Sequence, residues 1–93
     1  MIQSFGDKDT EMLFNRERIK KLPPDLYHRA RSMLLIIHAA ISENDLCVPP
    51  GNRFEKLKGG KKGLYSIRIN DQWRITFKWF AGNANDVTIT DYH

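Results

Sequence analysis

The stretch Gly63–His93 constrains the fold more than any other part of the chain. It reads GLYSIRIN, turns through Asp71-Gln72, continues as WRITFKWF, turns again in AGNAN and closes as DVTITDYH. β-Branched and aromatic residues alternate with polar ones, and Asn, Asp and Gly collect between the runs, so the pattern predicts three antiparallel strands. Tyr65, Ile67 and Ile69 share one face of the first strand, opposite Ser66, Arg68 and Asn70. Trp73, Ile75, Phe77 and Trp79 share one face of the second, opposite Arg74, Thr76 and Lys78. Val87 and Ile89 oppose Asp86, Thr88 and Thr90 in the third. An apolar layer must cover one side of such a meander.

The upstream sequence supplies that layer. Leu26, Tyr27, Ala30, Met33, Leu34, Ile37 and Ile41 recur at helical spacing after Pro24, which suits the first turn of a helix. An earlier helix is predicted over Lys8–Lys20, with Asp7 or Asp9 accepting from its first free N–H groups. Leu22-Pro23-Pro24 separates the two. Near Met33–Ile37 the second helix is apolar on most sides, so either the first helix or a partner protein must pack on its far flank. Met1–Phe5 fits a short edge strand, ended by Gly6, and Ser42–Asn52 reads as a loop. The expected order is β-α-α-β-β-β, an α+β fold with two N-terminal helices packed on a small antiparallel sheet.

A chain of 93 residues makes a single domain spanning 1–93, and buries only about 60–65% of the surface its unfolded form exposes. The single cysteine, Cys47, excludes an internal disulfide, and the absence of a signal-peptide pattern also points to the cytoplasm. The longest apolar run, Met33–Ile37, is far too short for a membrane span. The net charge of +4 matters less than its distribution. Residues 53–62 carry Arg53, Lys56, Lys58, Lys61 and Lys62 against the lone anion Glu55, with Phe54 and Leu57 interleaved. A second cluster, Arg16, Arg18, Lys20 and Lys21, surrounds Ile19. Such clusters suit phosphate groups or an acidic protein partner. Gly59–Gly63 lacks the spacing of a nucleotide-binding loop. His28, His38 and Cys47 lack companions at metal-ligand spacing, so no metal or other cofactor is expected and both histidines read as ordinary helix residues.

Several of these residues together resemble the HigB toxins, the plasmid-maintenance killer branch of the RelE/ParE toxin superfamily. The resemblance is carried by LKG at 57–59, Gly63, YSIRI at 65–69, NDQWRITF at 70–77 and the closing DYH at 91–93. PPGNR at 49–53 and IQSF at 2–5 add to it. It is specific in the sheet and weaker in the helices, and it covers essentially the whole chain. It implies a RelE-like fold and a toxin of a type II toxin–antitoxin system. It further implies ribosome-dependent endonuclease action on mRNA and a HigA-type helix-turn-helix antitoxin, with operator DNA reached only through that antitoxin.

Cleaving RNA without a metal requires a base for the 2′-hydroxyl, donors for the phosphorus oxygens and an acid for the departing 5′-oxygen. Taken alone, a terminal histidine is an ordinary frayed end. The matched DYH turns His93 into the candidate proton carrier, with Asp91 orienting it and Tyr92 contacting phosphate or base. Arg74 would stabilise developing charge through a fixed, planar guanidinium, and Lys58 corresponds to the family's lysine. Glu55 stands where many of these toxins place a histidine, so the general base stays open. Arg53, Lys56, Lys61, Lys62 and Arg68 are the candidate RNA contacts. Alternation sets Arg74 on the polar face but Asp91 and His93 with Val87 and Ile89, so their convergence needs a twisted sheet or a strand end that leaves it. Two rival functions are a ParE-like inhibitor that binds DNA gyrase and cuts nothing, and a decayed toxin kept as an antitoxin partner or co-repressor.

Overall fold

A computed structural model of the protein describes residues 1–46, the backbone of 55–56, and residues 63–91. The meander is present: β2 (Leu64–Arg68), β3 (Trp73–Phe80) and β4 (Asn83–Asp91) pair antiparallel in sequence order. Ahead of them β1 (Glu55–Lys56) pairs with β2, which makes the sheet four-stranded. Asn70 Oδ1 accepts from the Gln72 and Trp73 N–H groups at 2.9 and 2.7 Å, which folds the β2–β3 turn.

The second turn is tighter than AGNAN suggests. Ala81 and Gly82 have φ of 52° and 79°, the left-handed pair that a two-residue hairpin of matching twist requires, so β4 starts at Asn83 rather than Asp86. Asp86 is instead a bulge residue. Between Thr76 and Lys78 of β3 the partner strand advances from Thr88 to Asn85, and Asp86 takes up the extra residue at φ 53°. The bulge lets Ala84, Val87 and Ile89 all bury.

On the apolar side, α2 (Tyr27–Ala39) follows a 3₁₀ turn, Pro24–Leu26. Its Ala30, Met33, Leu34 and Ile37 bury in one core with Ile67, Ile75, Phe77 and Ile89, each of the larger side chains contributing about 1.5–3 kcal/mol. Ile41 departs from the predicted stripe: Ala40 has extended backbone (ψ 136°), the helix stops, and Ile41 is 82% exposed. α1 (Lys8–Phe14) is shorter than its pattern, because a Schellman motif closes it. Arg16 takes φ 67°, its N–H reaches Leu13 O at 3.0 Å, and Glu17 N–H reaches Met12 O at 2.8 Å. Ile19 nonetheless buries, tied to Tyr27, whose hydroxyl accepts from the Ile19 N–H at 2.9 Å. α1 packs against α2 and β4, and Thr10 Oγ1 accepts the buried Ile89 N–H at 2.9 Å.

Asp7, not Asp9, caps α1. Its Oδ1 accepts from Thr10 N–H at 2.9 Å and its Oδ2 from Lys21 Nζ at 2.5 Å. Burial pushes the Asp7 carboxyl up, but hydrogen bonds from Lys21 and Thr10 outweigh it and leave the pKa below its ordinary value. Within the predicted loop, Glu43–Leu46 forms a one-turn helix, α3, with Leu46 fully buried and Asp45 Oδ2 accepting from Ile41 N–H at 2.9 Å. The remainder of that predicted loop lies outside the described residues.

The N-terminal segment takes the sheet-edge position expected of it, through isolated bridges rather than a continuous strand. Ile2 and Phe5 form isolated parallel bridges with Ala84 and Val87, so the chain start lines the outer edge of β4. A Cβ on Gly6 would meet Thr88 Oγ1 at 2.0 Å, which explains glycine where the segment crosses that edge. No helix among the described residues is long and apolar enough to cross a membrane.

Candidate functional site

With the helices on one face, the opposite face of the sheet carries the polar half of every alternation. Register sets Arg68 opposite Arg74, Arg74 opposite Thr90, and Ser66 opposite Thr76, which in turn faces Thr88. Arg74 Nη1 donates to Ser66 Oγ at 3.1 Å, and the Thr76 and Thr90 hydroxyls lie 3.1 Å apart. Ser66 is fully buried and Arg74 is half-buried. The serine therefore fixes where a permanently charged, planar group sits.

Two guanidinium groups directly opposite one another on a ladder repel. Arg68 is balanced in part by an ion pair with Asp71, whose side chain is 97% exposed. A pair of arginines amid four hydroxyl-bearing residues on the sheet face opposite the helices is suited to an anion with several oxygens, such as a phosphodiester.

Asp91 ends β4 opposite Trp73, on the core-facing side of the register, while Arg74 is paired with Thr90 on the other. Its carboxylate is exposed and accepts from Gln72 Nε2 at 3.3 Å. The ladder thus keeps the two predicted site residues at one end of the sheet but on opposite faces, as alternation requires. Glu55 is the register partner of Ser66, the residue to which Arg74 donates, and Lys56 is the partner of Tyr65. Lys58, Tyr92 and His93, and the predicted RNA contacts Arg53, Lys61 and Lys62, lie outside the described residues. Among the described residues no three His, Cys, Asp or Glu side chains gather as a metal site would require.

Ser66, Thr76 and Thr90 were not among the sequence candidates. Their signal was available: β2 and β3 alternate in phase about a short turn, so Ser66 must share Arg74's face.

The fold is that of the RelE-like toxins. A crystal structure of a YafQ mutant from E. coli superposes with a TM-score of 0.63 at 14% identity, covering 98% of this chain and 91% of that one. Residues 3–93 match the family of HigB-like toxins, described as RelE-like toxins of type II toxin–antitoxin systems. Toxin HigB-1 of Vibrio cholerae serotype O1 is 42% identical over 85 residues, 90% of each chain. Endoribonuclease HigB of Proteus vulgaris is 32% identical over 97 residues, spanning the whole of both. The chain belongs to the HigB-like family, and as a type II toxin it has an antitoxin partner.

Proposed function

We propose that this toxin is an endoribonuclease that cuts mRNA on the ribosome, without a metal, through attack of the RNA 2′-hydroxyl on the adjacent phosphorus. The observation that carries the proposal is the Arg74 guanidinium, held by Ser66 opposite Arg68 on the polar face of the sheet, away from the helices. Identity to a relative named as an endoribonuclease supports it, and the resemblance to HigB toxins supports the ribosome and the absence of a metal.

In the proposed reaction the 2′-oxygen loses its proton, the bond to phosphorus forms, and negative charge grows on the two non-bridging oxygens. Arg74 donates to them, an effect worth about 10²–10³ in rate for one preorganised donor. The 5′-oxygen then leaves as the P–O bond breaks and takes a proton. His93 is the candidate proton donor, Lys58 binds phosphate or assists proton transfer, Tyr92 contacts phosphate or base, and Glu55, the register partner of Ser66, is a candidate base. Asp91, two residues before His93, is the candidate to orient its ring. Arg53, Lys56, Lys61, Lys62 and Arg68 hold the RNA backbone. The antitoxin is of the helix-turn-helix HigA type and links the toxin to operator DNA, and the site of action is the cytoplasm.

Primer extension on a translated message after induction tests the proposal. Cuts within the reading frame are expected for the intact chain, reduced about 10²-fold or more in His93→Ala. Intact transcripts with broken DNA would instead identify a gyrase inhibitor, and intact transcripts without growth arrest a decayed toxin.

A further inference from the structure

A cleft of about 280 Å³ between the end of α1 and the outer side of α2 is lined by Arg16, His28, Arg31, Ser32 and Leu35. The α2 members stand at i, i+3, i+4 and i+7, which is one continuous helical face. It is the face turned away from the sheet, since Ala30, Met33, Leu34 and Ile37 occupy the inward one. Arg16 approaches from the left-handed turn that closes α1.

Two independent features mark the cleft as built for an anion. Arg31 Nε donates to Leu13 O at 3.1 Å, which anchors the half-buried guanidinium by one edge. Arg16 occupies the helix-ending position normally given to glycine, with φ 67°, so the fold carries backbone strain to set an arginine there. Among the described residues the ion pairs are Lys21–Asp7, Arg68–Asp71 and Lys78–Asp86, and neither Arg16 nor Arg31 belongs to one. The cleft gathers two guanidinium groups, an imidazole and a hydroxyl around a space with no carboxylate among its described lining residues. Leu35, 50% exposed, adds an apolar wall against which a ribose can rest.

We propose that this cleft is a second RNA-binding site that takes a backbone phosphate far from the bond being cut. The inference rests on the endoribonuclease reading for the identity of its ligand. Helix α2 and the sheet stand between the cleft and Arg74, so one phosphate cannot serve both. The occupant is a separate RNA segment, bound through its phosphodiester chain, and His28 acts as a donor to it rather than as an ordinary helix residue.

The test uses the full-length protein and a 2′-O-methylated RNA hairpin, which lacks the nucleophilic hydroxyl, with binding followed by fluorescence anisotropy over a salt series. Arg16→Gly relieves the strained turn, so the melting temperature is expected to hold or rise. Its affinity is expected to fall about three- to tenfold, and its log–log salt slope by about 0.7–0.9 for the one lost phosphate contact. His28→Ala, on an exposed helix surface, is expected to weaken binding without altering the fold, and Arg16→Lys to retain most of the affinity. Lys8→Gln removes a charge from the other end of α1 and is expected to leave the slope unchanged. Unchanged affinity and slope in both Arg16→Gly and His28→Ala overturn the site, as does an equal loss in Lys8→Gln, whether or not the protein cleaves RNA. Normal cleft binding by a protein that cuts no translated message would overturn the nuclease reading and leave the cleft standing.

Discussion

If Ser66 acts by holding Arg74, its removal should matter only while the arginine is present. Arg74→Lys keeps the positive charge but replaces a planar fork with a point charge, so the rate of RNA cleavage is expected to fall about 10²-fold. Ser66→Ala leaves the guanidinium in place and removes its 3.1 Å contact with Oγ. Hydrogen bonds to charged groups are worth about 1.5–3 kcal/mol, and a half-exposed arginine recovers part of that from water. A residual penalty of about 1 kcal/mol corresponds to roughly a fivefold slower reaction. In the Arg74→Lys background the serine has no guanidinium to hold, so adding Ser66→Ala should cost almost nothing. The coupling between the two changes is then about 1 kcal/mol. Single-turnover cleavage of a translated message gives all four rates, and melting curves check that alanine, close in size to serine, leaves the fold intact. A fivefold loss in both backgrounds would show that the serine acts independently, and Arg74→Lys within threefold of the parent would remove the arginine from the chemistry.

Three further outcomes concern the scaffold. Thr10→Val leaves the buried Ile89 N–H without its acceptor and should cost about 2 kcal/mol, roughly 8–16 °C in Tm, measurable by calorimetry; a loss below about 2 °C would contradict it. Because the folded pKa of Asp7 lies below its ordinary 3.8, the stability it contributes is complete above that value and disappears as pH falls through the folded one. Asp7→Asn keeps a capping oxygen but loses the charge, so denaturant titrations should show a deficit of about 0.5–1 kcal/mol near neutrality that closes in acid; a deficit that persists in acid would count against the Lys21 contact as its cause. Ala81→Gly should raise stability by about 0.5–1 kcal/mol, because φ of 52° strains a residue with a Cβ, and an unchanged or lower Tm would argue against that strain.

The strands were legible because a period of two leaves little choice: once Trp73, Ile75 and Phe77 point inward, Arg74 must point out. The same rule sets Asp91 away from Arg74, and the ladder keeps them so. Helix ends were not legible. Nothing in the apolar spacing of Lys8–Lys20 signals that Arg16 will turn left-handed, since that position is usually glycine. The bulge at Asp86 was equally hidden, because a single inserted residue shifts the phase of Ala84 without disturbing Val87 and Ile89. The pairing of β1 with β2, which sets Glu55 opposite Ser66, was hidden because a two-residue strand is too short to show a period. His28 looked ordinary since its companions at i+3 and i+4 suggest an anion site only when Arg16 is brought opposite them.

Gln3, Ser4 and Gly6 take backbone partners from β4, at the far end of the sheet's sequence. Gln3 N–H donates to Ala84 O at 2.8 Å, Val87 N–H to Ser4 O at 3.1 Å, and Asp86 N–H to Ser4 Oγ at 2.9 Å, across 82 positions of sequence in the last case. Contacts of such wide separation form slowly and late. A change that loosens the outer edge of β4 is therefore expected to release two segments far apart in sequence together, Gln3–Gly6 and Ala84–Val87.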